Sequence, residues 1–231
     1  MNYVARKKIV FVIVEGPSDE TALGVLLDKI YDSSTVFIKI WHGDVTSAPG
    51  VTPGNIVSKI GNVITQYATS NHYSQIHFQE IIHIIDTDGT YVPEENVVQD
   101  DLALDPIYTP TEIRTNNRED MLERNKRKGS NMDKLSNCKM IWSIPYRAFY
   151  MSSNLDHVLY GKQNSTDEEK EEDSYKFAKE YKNKIPEFID FISASDFSVV
   201  SNYKESWDFI RKDLNSLERH TNFGLALVNN E

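Results

Sequence analysis

From Lys8 to Val14 the chain reads KIVFVIV, a lysine followed by six apolar residues, mostly β-branched. A run without a polar face suits a strand covered on both sides, as in a parallel sheet. Beyond it Ala22, Leu23, Leu26, Leu27 and Ile30 recur at helical spacing, with Pro17 just ahead and Ser18 or Asp19 available as a cap. Thr35–Trp41 reads as a second strand, His42–Gly54 as a loop of turn formers, and Asn55–Ser70 as a helix with its apolar stripe on Ile56, Ile60, Val63, Ile64 and Tyr67. Glu80–Asp86, EIIHIID, is the third strand. Strand, helix, strand, helix, strand implies a mostly parallel sheet with helices on both faces and right-handed crossovers.

After Asp88 the pattern loosens. Tyr91–Pro110 is acidic and holds prolines, as an ordered excursion or a lid would. Thr111–Leu135 reads as helix, Cys138–Ile144 as a fourth strand, and Ser152–Gly161 as a helix with a serine cap and a glycine stop. Ser165–Ile185 is a charged helix, and helical patterning returns up to about Leu217. Within it Asp167–Asp173 holds six acids in seven residues, the mark of a solvated face. These elements divide into an α/β domain over 1–150 and a helical C-terminal extension over 151–231 packed on it.

Composition narrows the function classes. A net charge of −10 argues against a protein that coats nucleic acid by neutralising phosphates. It leaves room for a nuclease, because bound divalent cations change the field at an acidic site. One cysteine, Cys138, excludes an internal disulfide and any zinc site built on several cysteines. No apolar run approaches the roughly 18 residues a membrane span requires. The opening MNYVARKKIVFVIVEG has a short apolar run, no small-residue cleavage site and an acidic continuation, so it reads as the first strand of a cytoplasmic protein.

Two of the apolar runs end in carboxylates followed by glycine: VIVEGPSDE at Glu15 and IIDTDG at Asp86 and Asp88. In open parallel sheets ligands bind beyond the carboxyl ends of the strands. Asp86 and Asp88, two apart in an extended segment, point the same way. Carboxylates converging with Glu15, without histidine or cysteine, make a hard oxygen site suited to Mg²⁺ or Mn²⁺. Gly16 and Gly89 allow tight departures that let a phosphate approach the backbone.

These two motifs together resemble the Toprim domain, the catalytic fold shared by topoisomerases, bacterial primases and several nuclease families. Its signature is a glutamate after the first strand and an Asp-x-Asp after a later one. EGPSD followed by a helix is most similar to the branch of nucleases containing the overcoming-lysogenization-defect (OLD) proteins. The resemblance covers Lys8–Thr90. It implies a Toprim/Rossmann-like α/β fold and phosphodiester cleavage in DNA or RNA, with Mg²⁺ or Mn²⁺ held by Glu15, Asp86 and Asp88. Asp19 is implicated at the same metal site, and Asp156 is the candidate for a later acid supporting a second metal. Glu15 could serve instead as general base. No ATPase domain, zinc module or strand-passage tyrosine accompanies the motifs. A stand-alone nuclease serving antiphage defence or a mobile element is then expected, with nucleic acid and an ATPase or other defence-system protein as partners.

Other residues are weaker candidates. Arg124, Lys126, Arg127 and Lys128 put four bases in five positions, a possible phosphate-positioning patch. Arg147, among Tyr146, Phe149 and Tyr150, could hold a phosphate or stack on a base. His157 could act as ligand or acid–base group, and His42 and Asp44 follow the second strand on the same edge. Two other functions compete: a non-catalytic binding or regulatory protein with an idle site, and a phosphatase using Asp86 as nucleophile in DTDGT.

Overall fold

The computed structural model describes residues 7–33 and 35–228; the expectations that touch 1–6 and 229–231 lie outside the described residues. In chain order the elements are β1 (Lys8–Val14), α1 (Pro17–Ile30), β2 (Val36–His42), α2 (Ile56–Ser70), β3 (Phe78–Asp86), β4 (Val97–Gln99), β5 (Ile107–Tyr108) and β6 (Ile113–Thr115). Then come α3 (Arg118–Ser136), β7 (Met140–Ile141), β8 (Ile144–Met151), α4 (Leu155–Tyr160), α5 (Asp167–Tyr181), α6 (Ile185–Ala194), α7 (Tyr203–Ile210) and α8 (Gly224–Val228).

The main sheet runs β2-β1-β3-β8-β7, parallel except for the short β7 at its edge. Each central strand is buried on both faces, as its unbroken apolar run requires. Val10, Val12, Val14, Ile82, Ile84, Phe149 and Met151 face one core, with α1, α4, α5, α6 and α8 over them. Ile9, Phe11, Ile13, Ile81, Ile85, Tyr146 and Tyr150 face the other, under α2, α3 and α7. Each fully buried side chain of this kind stabilises the fold by roughly 1.5–3 kcal/mol. The mixed α/β architecture is thus the expected one, and residues 151–228 supply most of the helical cover on one face. No helix among the described residues is long and apolar enough to cross a membrane.

The connection β1–α1–β2 crosses one face of the sheet and β2–α2–β3 returns across the other. The two helices therefore diverge beyond the carboxyl ends of β1 and β3, which opens a crevice at that point. Glu15 and Asp86 stand at its base.

Three expectations are corrected. The fourth parallel strand is Ile144–Met151 rather than Cys138–Ile144. The CKMIWSI segment folds back on itself at Trp142 and Ser143, whose φ values of 49° and 60° make a tight hairpin turn. Pro145 sits where β8 pairs only with two-residue β7, an edge position that tolerates proline. The excursion after Asp88 contains a second sheet, β4-β6-β5, packed over its own cluster of Val92, Val97, Ile113, Met121 and Leu217. Its last strand takes up the start of the helix expected from Thr111, so α3 begins only at Arg118, capped by Asn117. The charged helix ends at Tyr181, and α6 follows separately.

Gly89 has φ +64°, and a Cβ there would lie 2.7 Å from Leu217 Cδ2 and 2.8 Å from Ile113 Cδ1. Gly161, the stop after α4, has φ +74° with open space around it. Gly161→Ala should therefore cost about 1–2 kcal/mol for the left-handed backbone alone. Gly89→Ala should cost that plus about 1–3 kcal/mol of overpacking. Urea unfolding of the two variants checks the order; equal losses would contradict the packing assigned to Gly89.

Candidate functional site

At the end of β1 the chain turns at Gly16 into α1, with Pro17 in the first turn, where a missing N–H costs nothing. Asp19, 7% exposed, reaches back so that its Oδ2 accepts from Gly16 N at 2.8 Å and Glu15 N at 3.1 Å. Asp19 rather than Ser18 thus ties the helix start to the strand end and fixes the backbone of Glu15. Asp86 N–H donates to Glu15 Oε1 at 3.2 Å, which links the two strand ends directly.

Asp88 reaches the same place by a route other than strand alternation. β3 ends at Asp86, and Asp88 has φ +47° in a turn pinned through Thr87. Thr87 is fully buried; its hydroxyl donates to Ser216 O at 2.8 Å and accepts from Ser153 N at 2.9 Å. Asp88 N donates to Ser153 O at 2.7 Å. A non-glycine left-handed residue is costly and persists where its surroundings hold it, here beside the candidate chemistry. Gly89 also serves packing: Leu217 and Ile113 fill the space where a side chain would stand.

The basic segment of α3 does not act as one exposed patch. Arg124 and Lys128, four apart, point into the cluster, while Lys126 is exposed and Arg127 donates to Ser47 O at 3.3 Å. Lys128 is fully buried. Its Nζ bonds Asp88 Oδ2 and stands 3.2 Å from Glu15 Oε1, and Arg124 Nη2 bonds Asp88 Oδ2 from the other side. Asn131 Nδ2 donates to Thr46 O at 2.8 Å and so ties α3 to the loop after β2. In that loop Asp44 accepts from Thr46 N and Thr46 Oγ1, both at 2.8 Å.

The acids of this cluster line a cleft of about 820 Å³ beyond the strand ends. Glu15, Asp19, Asp44, Asp86, Asp88, Asp105 and Asp156 face it, with Lys170 as the only base on its lining among the described residues. Residues 102–108, including β5, form one wall. Burial pushes the Glu15 carboxyl up to about 8; Lys128 opposes this, while Asp44, Asp88 and Asp19 reinforce it. Asp86 is held well above its ordinary value by burial, then by Glu15, Asp19 and Asp88. Burial opposes the charge on Lys128, yet Asp88, Glu15 and Asp44 hold its ammonium above the usual lysine range. Asp44 goes the other way: burial raises it, but Lys128 and the hydroxyls of Ser47 and Thr46 pull it below the usual carboxylate range.

Asp156, 4% exposed in α4, borders the cleft, and its Oδ1 has no hydrogen-bond partner. Burial pushes it up to about 6. His157 does not line the cleft; burial lowers it to about 4. Arg147 is corrected as a cleft residue. Its guanidinium bonds Glu80 Oε2 at 2.7 Å and 3.2 Å, and it does not line the cleft. His42 stands 3.5 Å from Glu20 at the exposed rim.

Among the described residues no three His, Cys, Asp or Glu side chains form a ready-made metal shell. Lys128 stands between two of the expected ligands. The donor chemistry nonetheless fits a hard divalent cation. All donors are oxygens, Glu15 and Asp86 are strained as anions, Asp86 has no ion-pair partner within 4 Å among the described residues, and Asp156 Oδ1 is orphaned. No family model, curated protein or solved structure matches the chain.

The role of Lys128 was readable in part. Met121, Asn125, Lys128, Met132 and Leu135 recur at helical spacing and are all buried, so Lys128 lies on the core-facing stripe of α3. A lysine on such a stripe needs an anionic partner. Lys128→Met should therefore cost about 3–5 kcal/mol at neutral pH, because it removes the buried cation that Glu15 and Asp88 share and leaves Asp88 only Arg124; chemical denaturation measures it. The pH dependence has a defined sign. Glu15 titrates near 8 when folded against an ordinary 4.5, so its contribution is full below 4.5 and lost as pH rises toward 8. Asp86 and Asp19 add the same sign. Asp44, held below its ordinary 3.8, opposes them only in acid. His83 and His157, held below their ordinary 6.5 by burial, contribute the opposite sign up to that pH. Unfolding free energy should therefore fall between pH 6.5 and 8, and Glu15→Gln should flatten that slope; an unchanged slope would refute the assignment to Glu15.

Proposed function

We propose that this chain is a Mg²⁺- or Mn²⁺-dependent hydrolase of phosphodiester bonds, a nuclease of the Toprim type akin to the OLD-like branch. One observation carries the reading: Glu15, Asp86 and Asp88 share one carboxyl-edge crevice whose acids outnumber the cations beside them. Glu15, Asp86 and Asp88 would hold the ion, with Asp19 fixing the backbone of Glu15 and Asp156 available for a second ion. A divalent cation bound there would lower the pKa of a water and stabilise charge on the leaving oxygen.

The chain's own residues supply the rest. Glu15, titrating near 8, is mostly protonated at pH 7 and would take a proton from water only once ionised, as above pH 8 or beside a bound cation. Lys128 and Arg124 place fixed positive charge against Asp88, where a phosphoryl group would gather negative charge. Neither lines the crevice itself: Lys128 is fully buried, and both act on a bound group through Asp88. Exposed Lys126 is left to the duplex or strand backbone. The observation that favours an idle, non-catalytic site is that Lys128 and Arg124 already engage Asp88.

The test is a cleavage screen of plasmid, single-stranded DNA and total RNA with either metal. Cutting is expected, with Asp86→Ala and Glu15→Gln reduced at least roughly 10²-fold while still folded. Turnover of p-nitrophenyl phosphate alone would support the phosphatase. Silence on every substrate by folded protein would support the non-catalytic reading.

A further inference from the structure

The wall of the acidic cleft ends in the tip between β4 and β5, where Leu102 and Leu104 are 89% and 93% exposed. They are the most exposed large apolar side chains among the described residues. Asp101 and Asp105 flank them. Water gains nothing from two leucines on a loop tip, and covering each would contribute roughly 1.5–3 kcal/mol.

A second cleft, of about 1380 Å³, lies along the outer edge of β8 between α7 and the end of α3. Its rim carries Lys139, Arg147, Lys204 and Arg211 against Asp133, Asp208 and the Glu80 that pairs with Arg147, a local excess of one positive charge, on Lys139, in a chain of net −10. Lys139 is exposed and makes no ion pair within 4 Å among the described residues. The backbone edge of β8 is already used: Ala148 N donates to Tyr203 Oη at 3.1 Å and Tyr150 N to Asn222 Oδ1 at 2.8 Å. The cleft therefore accepts side chains and not an added strand.

We propose that two copies of this chain associate by seating the Leu102/Leu104 tip of one in the β8-edge cleft of the other. The occupant is a second copy because one sequence carries both halves of a complementary pair: an acid-flanked apolar tip and a base-rimmed apolar cleft. No residue of the tip lines that cleft in its own chain. Two such contacts related by a twofold axis close a dimer. Residues 102–108 also line the acidic cleft, so docking brings Lys139 and Lys204 of the second copy beside its mouth, where the lining offers only Lys170. The contact does not depend on the hydrolase reading.

Sedimentation equilibrium across a dilution series tests it. The mass should rise with concentration from 26.6 kDa to twice that value. Leu102→Asp with Leu104→Asp should abolish the rise, with circular dichroism unchanged because both sites are exposed. Lys139→Glu with Lys204→Glu should weaken association roughly tenfold, and adding Asp101→Lys with Asp105→Lys in the same chain should restore it. A monomer at every concentration would overturn the proposal, as would a dimer indifferent to the leucine and lysine variants or a charge swap that fails to restore.

Discussion

A lysine ammonium with none of its surface in water sits where two strands of the sheet end, bonded to Asp88 and 3.2 Å from Glu15. Taking that charge out of water costs several kcal/mol, which only close and numerous carboxylates repay. The surrounding architecture meets the requirement. Asp19 fixes Glu15, the left-handed turn held by Thr87 and Ser153 delivers Asp88, and Asn131 ties α3 to the loop that carries Asp44. Remove the ammonium and Glu15 loses the cation beside it, while Asp88 keeps only Arg124. The acids still exceed the cations, so Glu15 and Asp86 are left strained as anions, a condition that invites a further positive charge.

Much of this was legible in the sequence because the strands announce themselves. KIVFVIV and EIIHIID are long β-branched runs, and a buried parallel strand needs that composition. Their order, with helical periodicity between, sets the crossovers and hence the crevice above Glu15 and Asp86. The parts that escaped are those decided by tertiary context. IPYRAFYM holds a proline and an arginine, yet it is the fourth parallel strand, since Pro145 meets only two-residue β7 and Arg147 pairs with Glu80. The β4-β6-β5 sheet is built from strands of three, three and two residues, too short to show a period. Asp88 came to the right place by an unforeseen turn, because left-handed backbone at a non-glycine residue leaves little mark on sequence.

Lys128 teaches a narrower lesson. Four bases in five residues look like one solvated patch, but a helix divides them between faces. The apolar stripe of α3 assigns Lys128 to the interior, and i,i+4 spacing carries Arg124 with it. Two of the four bases, Arg124 and Lys128, balance charge behind the crevice, which leaves Lys126 as the exposed one of the run.

The central claim, that the overfull carboxylate cluster at the strand ends takes up a divalent cation, is tested most directly by calorimetric titration of Mn²⁺ into the purified protein near pH 7 in buffers of different ionisation enthalpy. The account predicts saturable binding whose heat depends on the buffer, since the ion displaces the proton held by Glu15, with that dependence reduced in Glu15→Gln and binding lost in Asp86→Asn. No saturable heat in wild-type protein, or binding indifferent to both substitutions, would contradict it.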